Sequence, residues 1–130
     1  MDRLLTLRGP LAAALIAAGM FAAFPAAAGD PGHGKAVFGA QCAMCHSNAR
    51  GGPTILGPTL FGVVGRPAGA VKGFAYSSAL RSSGLTWGND KLRAYVAAPA
   101  KTLPGVRMTY GGLHNPAQLE DLIAYLDTLK

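Results

Sequence analysis

The chain has 130 residues, half of them hydrophobic, with two cysteines and a formal charge of +6. That length allows one domain and excludes a multidomain assembly, and the apolar share excludes a disordered chain. Two cysteines exclude a multi-disulfide framework, and 18 Gly with 9 Pro exclude a bundle of long helices.

The first element in chain order is a leader. Residues 1–28 carry Arg3 and Arg8, then an apolar run from Leu11 to Phe24, then the small residues Ala26, Ala27 and Ala28, which are the three parts of a secretory signal. A spanning helix needs about 20 apolar residues, and this run falls short of that and ends at Pro25. Cleavage after Ala28 is expected, leaving one domain over residues 29–130. No later stretch approaches spanning length, so the mature chain is expected in the periplasm, and not as an integral membrane protein. Its small, loop-rich core needs a supplement, and a bound prosthetic group is the leading candidate.

A helix is expected from Pro31 to Gln41, turning Val37 and Phe38 inward, with Gly34 on the same stripe to let another backbone approach. Immediately after it comes Cys42-Ala43-Met44-Cys45-His46, the C-x-x-C-H pattern of covalent c-type haem attachment. Two thiols one turn apart can add to the two vinyl groups along one side of a porphyrin, and the adjacent His46 can then face the iron. Two other readings compete. A redox disulfide belongs in a β-α-β context that no parallel-strand pattern supplies here. A zinc site needs a fourth ligand, which His33 or His114 would have to provide.

Residues 47–75 and 100–114 read as loops that enclose a flat group, with no repeat and no sheet pattern. Between them a short helix is expected from Tyr76 to Arg81. Another runs from Asn89 to Ala98, with Leu92, Tyr95 and Val96 inward and Pro99 as its stop. The last helix has Asn115 at the N-cap, Pro116 at N1 and Gln118 at N3, then Leu119, Leu122, Ile123, Leu126 and Leu129 on one face. If His46 holds one face of an iron, the other face is open to a ligand, a substrate or nothing. Met1 and Met20 leave with the signal and Met44 is trapped between the cysteines, so Met108 is the methionine that remains, with His33 and His114 as rivals.

Over residues 32–130 the chain resembles class I cytochrome c, the short soluble carriers of bacteria and mitochondria. The resemblance rests on Gly34-Lys35-Ala36-Val37-Phe38, the haem motif, Gly57-Pro58-Thr59-Leu60, Tyr76, Trp87-Gly88, Tyr95, Pro104-Gly105-Val106-Arg107-Met108 and Asp121-Leu122-Ile123-Ala124-Tyr125-Leu126. It implies an all-α cytochrome c fold of three to five short helices and loops around one haem c, covalently held by Cys42 and Cys45, with the first and last helices crossing. It also implies His46 and Met108 as axial ligands, a Pro58 carbonyl that orients the His46 ring, a Tyr95 hydroxyl toward the Met108 sulfur, and Arg66, Tyr76 and Trp87 near the propionates. The chain departs from the pattern at Val106, where a threonine is usual, at Leu80, where an asparagine is common, and at Arg107, which replaces a lysine. Val106 and Leu80 together predict a drier pocket and a raised potential.

The function implied is single-electron transfer with no catalytic residue. A small haem peroxidase or a gas sensor with a labile sixth ligand, and a dedicated redox subunit of a periplasmic dehydrogenase, are the alternatives. Between Pro31 and Leu119 every charged residue except Asp90 is basic, while Glu120, Asp121 and Asp127 gather near the C-terminus. A basic haem-bearing face steers a monomer toward acidic faces of redox partners, whether a bc-type complex, a terminal oxidase, a reaction centre or a periplasmic dehydrogenase. Export and the lack of a binding motif argue against nucleic acid.

Overall fold

Asp30 starts the first helix: its carboxylate accepts from the backbone N–H of Gly32 at 2.7 Å and of His33 at 3.3 Å. With Pro31 pre-set for the first turn, α1 spans Pro31–Gln41, the expected range. The structure, a computed structural model, describes residues 28–130, so the leader expected over residues 1–28 lies outside the described residues apart from Ala28.

The second helix, α2, is Ser78–Arg81 and begins two residues later than the sequence predicts. Ser77 is the reason. Its hydroxyl accepts from the Leu80 N–H at 3.2 Å, which makes it the cap and leaves Tyr76 outside. Helix α3 covers Asn89–Ala97. Pro99, expected only to stop that helix, also opens a short α4 over Pro99–Thr102, which runs into the segment read as loop. A proline at the first helical position gives up an N–H that had no intrahelical partner, so it can end one helix and start the next. Helix α5 spans Pro116–Thr128, and the Asn115 side chain accepts from the Gln118 N–H at 3.1 Å as predicted. Among the described residues there is no strand, only an isolated antiparallel bridge between Pro67 and Thr86. The class is therefore all-α.

Helices α1 and α5 cross, and α3 packs on α5 and on α4. The crossing buries Phe38 against Leu119, Leu122, Ile123 and Leu126, while Val37 and Leu129 are half-buried at its edge. Tyr125, which lies off the predicted apolar face, is also buried: its ring meets Phe38 with centroids 5.7 Å apart, and its hydroxyl accepts from Asn48 Nδ2 at 2.7 Å. The crossing thereby holds the loop that follows the haem motif. Arg93 on α3 grips Glu120 on α5 with two of its nitrogens, Nη2 to Oε2 at 2.9 Å, and ties the third helix to the pair.

Gly34 sits where α1 touches α5. A Cβ there would fall on the Asp121 carbonyl and 2.7 Å from the Tyr125 Cβ, so any side chain forces the helices apart. We expect Gly34→Val to cost about 3 kcal/mol and to lower the melting temperature by about 15 °C. An unchanged melt would show that the crossing has slack.

Candidate haem site

The haem motif folds as a turn continuing from α1. The Phe38 carbonyl accepts from the N–H of Cys42 at 2.8 Å and of Ala43 at 3.0 Å, and the Cys42 carbonyl accepts from Cys45 at 3.0 Å and His46 at 2.9 Å. This turn sets Cys42, Cys45 and His46 on the wall of one cavity of about 530 Å³. Both thiols are half-buried and neither is in a disulfide. Burial, and after it the neighbouring Cys45, push the Cys42 thiol up to about 11, which keeps its sulfur protonated at neutral pH.

His46 is held on two sides. Its Nδ1 lies 2.7 Å from the Pro58 carbonyl, which can only accept, so Nδ1 carries the proton and Nε2 keeps a free lone pair. On the other side is Gly57, where a Cβ would collide with the imidazole itself. Gly57 is buried, and its N–H donates to the Cys45 carbonyl at 2.8 Å, which locks the loop onto the turn. Burial lowers the His46 pKa from its ordinary value, the Pro58 bond opposes this, and the Arg66 charge adds to it. The neutral imidazole that a metal needs is the favoured form at pH 7.

Met108 is half-buried in the segment between α4 and α5 and borders the same cavity. The rival ligands do not. His33 is exposed at the start of α1, with Nδ1 3.7 Å from Asp30 and 3.9 Å from Asp121, and His114 is exposed before α5. Among the described residues no cluster of three or more His, Cys, Asp or Glu side chains could hold a metal ion, so the zinc reading has no fourth ligand. Tyr95 is buried on α3, and burial alone pushes its hydroxyl up to about 12. Its ring is tilted against buried Trp87, with centroids 4.9 Å apart.

Arg66 borders the cavity, and its guanidinium is also a loop clamp, donating to the Phe61 carbonyl at 3.0 Å and the Thr59 carbonyl at 2.9 Å. Trp87 fixes the backbone of the same segment: its N–H donates to the Arg66 carbonyl at 2.9 Å and its carbonyl accepts from Gly65 at 2.7 Å. The Tyr76 hydroxyl accepts from the Val71 N–H at 3.2 Å. All nine residues singled out in the sequence, Cys42, Cys45, His46, Pro58, Arg66, Tyr76, Trp87, Tyr95 and Met108, line this one cavity.

The two apolar departures, Val106 and Leu80, part company. Leu80 lines the cavity, whereas Val106 packs against the core without bordering it, so the drier-pocket expectation rests on Leu80 alone. Sequence reasoning missed Gly57 as a wall against the imidazole. Its one signal was its place directly before Pro58. Most of the remaining wall is apolar, including Leu60, Val63, Leu92, Leu122 and Leu126, with Gln41, Arg107 and Thr109 also on it. Two thiols one turn apart, a fixed imidazole with a free nitrogen, a soft sulfur and an apolar enclosure make a donor set that fits covalently bound haem.

The chain matches the cytochrome c family model over residues 32–130. It is 46% identical over 103 residues to cytochrome c2 of Rhodoblastus acidophilus, covering 79% of this chain and 95% of that one. It is 44% identical over 101 residues to cytochrome c of Chlamydomonas reinhardtii, covering 78% and 90% of the two chains. Its structure is similar to that of cytochrome cH from Methylobacterium extorquens, with a TM-score of 0.70 and 42% identity over 77% of this chain and 99% of that one. The chain therefore belongs to the cytochrome c family, as a c-type cytochrome that holds one haem c covalently through Cys42 and Cys45 and serves as an electron carrier, not an enzyme.

Proposed function

We propose that the mature chain, residues 29–130 after removal of the leader, is a monomeric periplasmic carrier whose haem iron is closed by His46 on one side and Met108 on the other. The observation that carries this reading is the sorting of the three candidate sixth ligands: Met108 borders the cavity with His46, and His33 and His114 do not.

Bound haem c supplies one iron that cycles between ferric and ferrous. The chain's own residues do the rest. His46 offers Nε2, and the Pro58 carbonyl and Gly57 hold the ring in one orientation. Met108 offers its sulfur, a ligand type that raises the potential. By the family resemblance the Tyr95 hydroxyl would be directed to that sulfur, while Arg66, Tyr76 and Trp87 would neutralise or hydrogen-bond the propionates. Leucine and valine walls exclude water, so few dipoles reorganise when the charge changes. Acidic faces of redox proteins are the partners that suit the basic surface, with a fast and salt-sensitive encounter.

Carbon monoxide tests the closed iron. Reduced protein at neutral pH should leave its absorption spectrum unchanged under the gas, because both axial positions are filled. A shifted Soret band would instead support an open or labile position and the peroxidase or sensor reading. The dry wall makes a further expectation: Leu80→Asn should lower the midpoint potential by tens of millivolts, because a polar group there eases the extra positive charge of the ferric state. Equal potentials in the two proteins would remove Leu80 as a determinant.

A further inference from the structure

Thr59 belongs to the Gly57-Pro58-Thr59-Leu60 segment, yet unlike Gly57, Pro58 and Leu60 it does not border the haem cavity. Its half-buried hydroxyl meets the stretch that follows His46 instead. The hydroxyl donates to the Ser47 carbonyl at 3.3 Å and the Ala49 carbonyl at 3.2 Å, sharing one proton between them, and accepts from the Phe61 N–H at 3.2 Å. Ser47, Ala49 and Phe61 also lie off the cavity wall, so these bonds do not depend on what fills the cavity. They bear on one peptide unit. The Pro58 carbonyl, 2.7 Å from His46 Nδ1, lies in the plane of the Pro58–Thr59 peptide, so the residues on either side set its direction. On one side the Cys45 carbonyl holds the Gly57 N–H, and the proline ring fixes its own φ. On the other side the Leu60 N–H donates to the Ser47 carbonyl at 2.8 Å, and the hydroxyl holds Thr59 itself.

We propose that Thr59 is a positioning residue for electron transfer: its hydroxyl aims the Pro58 carbonyl at His46 Nδ1 and so sets how strongly the imidazole donates to the iron. The proposal rests on His46 being the iron ligand. A carbonyl that accepts from Nδ1–H raises the basicity of the opposite ring nitrogen, and a more basic ligand favours the ferric state. Without the hydroxyl the Thr59 side of the peptide loses its side-chain tether, the Pro58 carbonyl swings more freely, and the bond to Nδ1 weakens. The midpoint potential then rises. The loop itself persists, because the backbone bonds of Gly57 to Cys45 and of Leu60 to Ser47 need no side chain.

The test compares the haem-loaded parent protein with Thr59→Val, which keeps the shape and loses the hydroxyl, and Thr59→Ser, which keeps the hydroxyl. Two quantities are read: the ferric-to-ferrous ratio at a fixed applied potential, and the solvent exchange rate of the His46 ring N–H by NMR. In Thr59→Val the ratio should move about threefold toward ferrous, a midpoint about 30 mV higher at 59 mV per tenfold, and the ring proton should exchange about tenfold faster. Thr59→Ser should match the parent in both. A Thr59→Val protein that melts at a lower temperature but keeps the parent ratio and exchange rate would make the hydroxyl merely structural and overturn the proposal. So would a Thr59→Ser protein that shifts as far as Thr59→Val, since packing of the methyl group would then be the cause. The underlying reading fails separately: a His46 ring N–H that the unpaired electron of the ferric parent protein leaves undisplaced would unseat His46 as the ligand and take this proposal with it.

Discussion

Replacing Cys42 and Cys45 together by alanine should leave a chain that neither retains haem after denaturation nor folds well without it. The reason is the size of the space that the haem fills. Unfilled apolar volume costs about 24 cal/mol per Å³, so leaving a cavity of about 530 Å³ empty costs on the order of 10 kcal/mol. That is comparable with the whole stability of an ordinary small domain. The buried faces of α3 and α5 that meet the cavity, Leu92, Leu122 and Leu126 among them, would lose their common partner. Each single cysteine variant keeps one thioether and should keep both haem and fold. Mass spectrometry of the denatured chains reads the attachment and far-ultraviolet circular dichroism reads the helices. A double variant that stays helical and cooperative without haem would show that the protein core is self-sufficient, against this account.

Met108→Ala has the second large effect. Removing the sulfur takes away the ligand that holds the iron potential up, and the midpoint should fall on the order of 0.2 V. The opened position should then admit carbon monoxide in the reduced state. His114→Ala and His33→Ala, at exposed sites off the cavity, should match the parent protein in potential and in gas binding. The histidine variants also separate ligation from packing, because Met108 is half-buried and its truncation loosens the wall as well. If the potential of Met108→Ala is unchanged and the iron stays closed, another group is the sixth ligand.

The parts of the fold that were legible in the sequence are those written in local signals. Asn115, Pro116 and Gln118 specify the start of α5, and the run of Leu and Ile specifies its buried face, because capping and helical spacing act within a few residues. The haem motif is likewise local. Gly34 was readable as a contact glycine, but not that its neighbour is the Asp121 carbonyl, since the two are far apart in sequence. Helix α4 was missed because Pro99 carries two opposite messages, stop and start, and only the helix before it was clear. The share of each cavity residue was harder still. Val106 and Leu80 look equivalent as apolar substitutions, yet only Leu80 reaches the cavity. Arg66 is expected from the resemblance only as a charge near the propionates, while the structure also makes it a clamp on the Thr59 and Phe61 carbonyls. The pairing of Arg107 with the Ala75 carbonyl, which joins the Met108 segment to the loop before α2, leaves no trace in local pattern at all.

The central claim is that His46 and Met108 close the iron, and the near-infrared absorption of the oxidised, haem-loaded protein at neutral pH tests it most directly. Sulfur ligation of ferric haem gives a weak band in that region. The account predicts the band in the parent protein and its loss in Met108→Ala. A covalently attached haem whose oxidised spectrum lacks the band in the parent protein would contradict it.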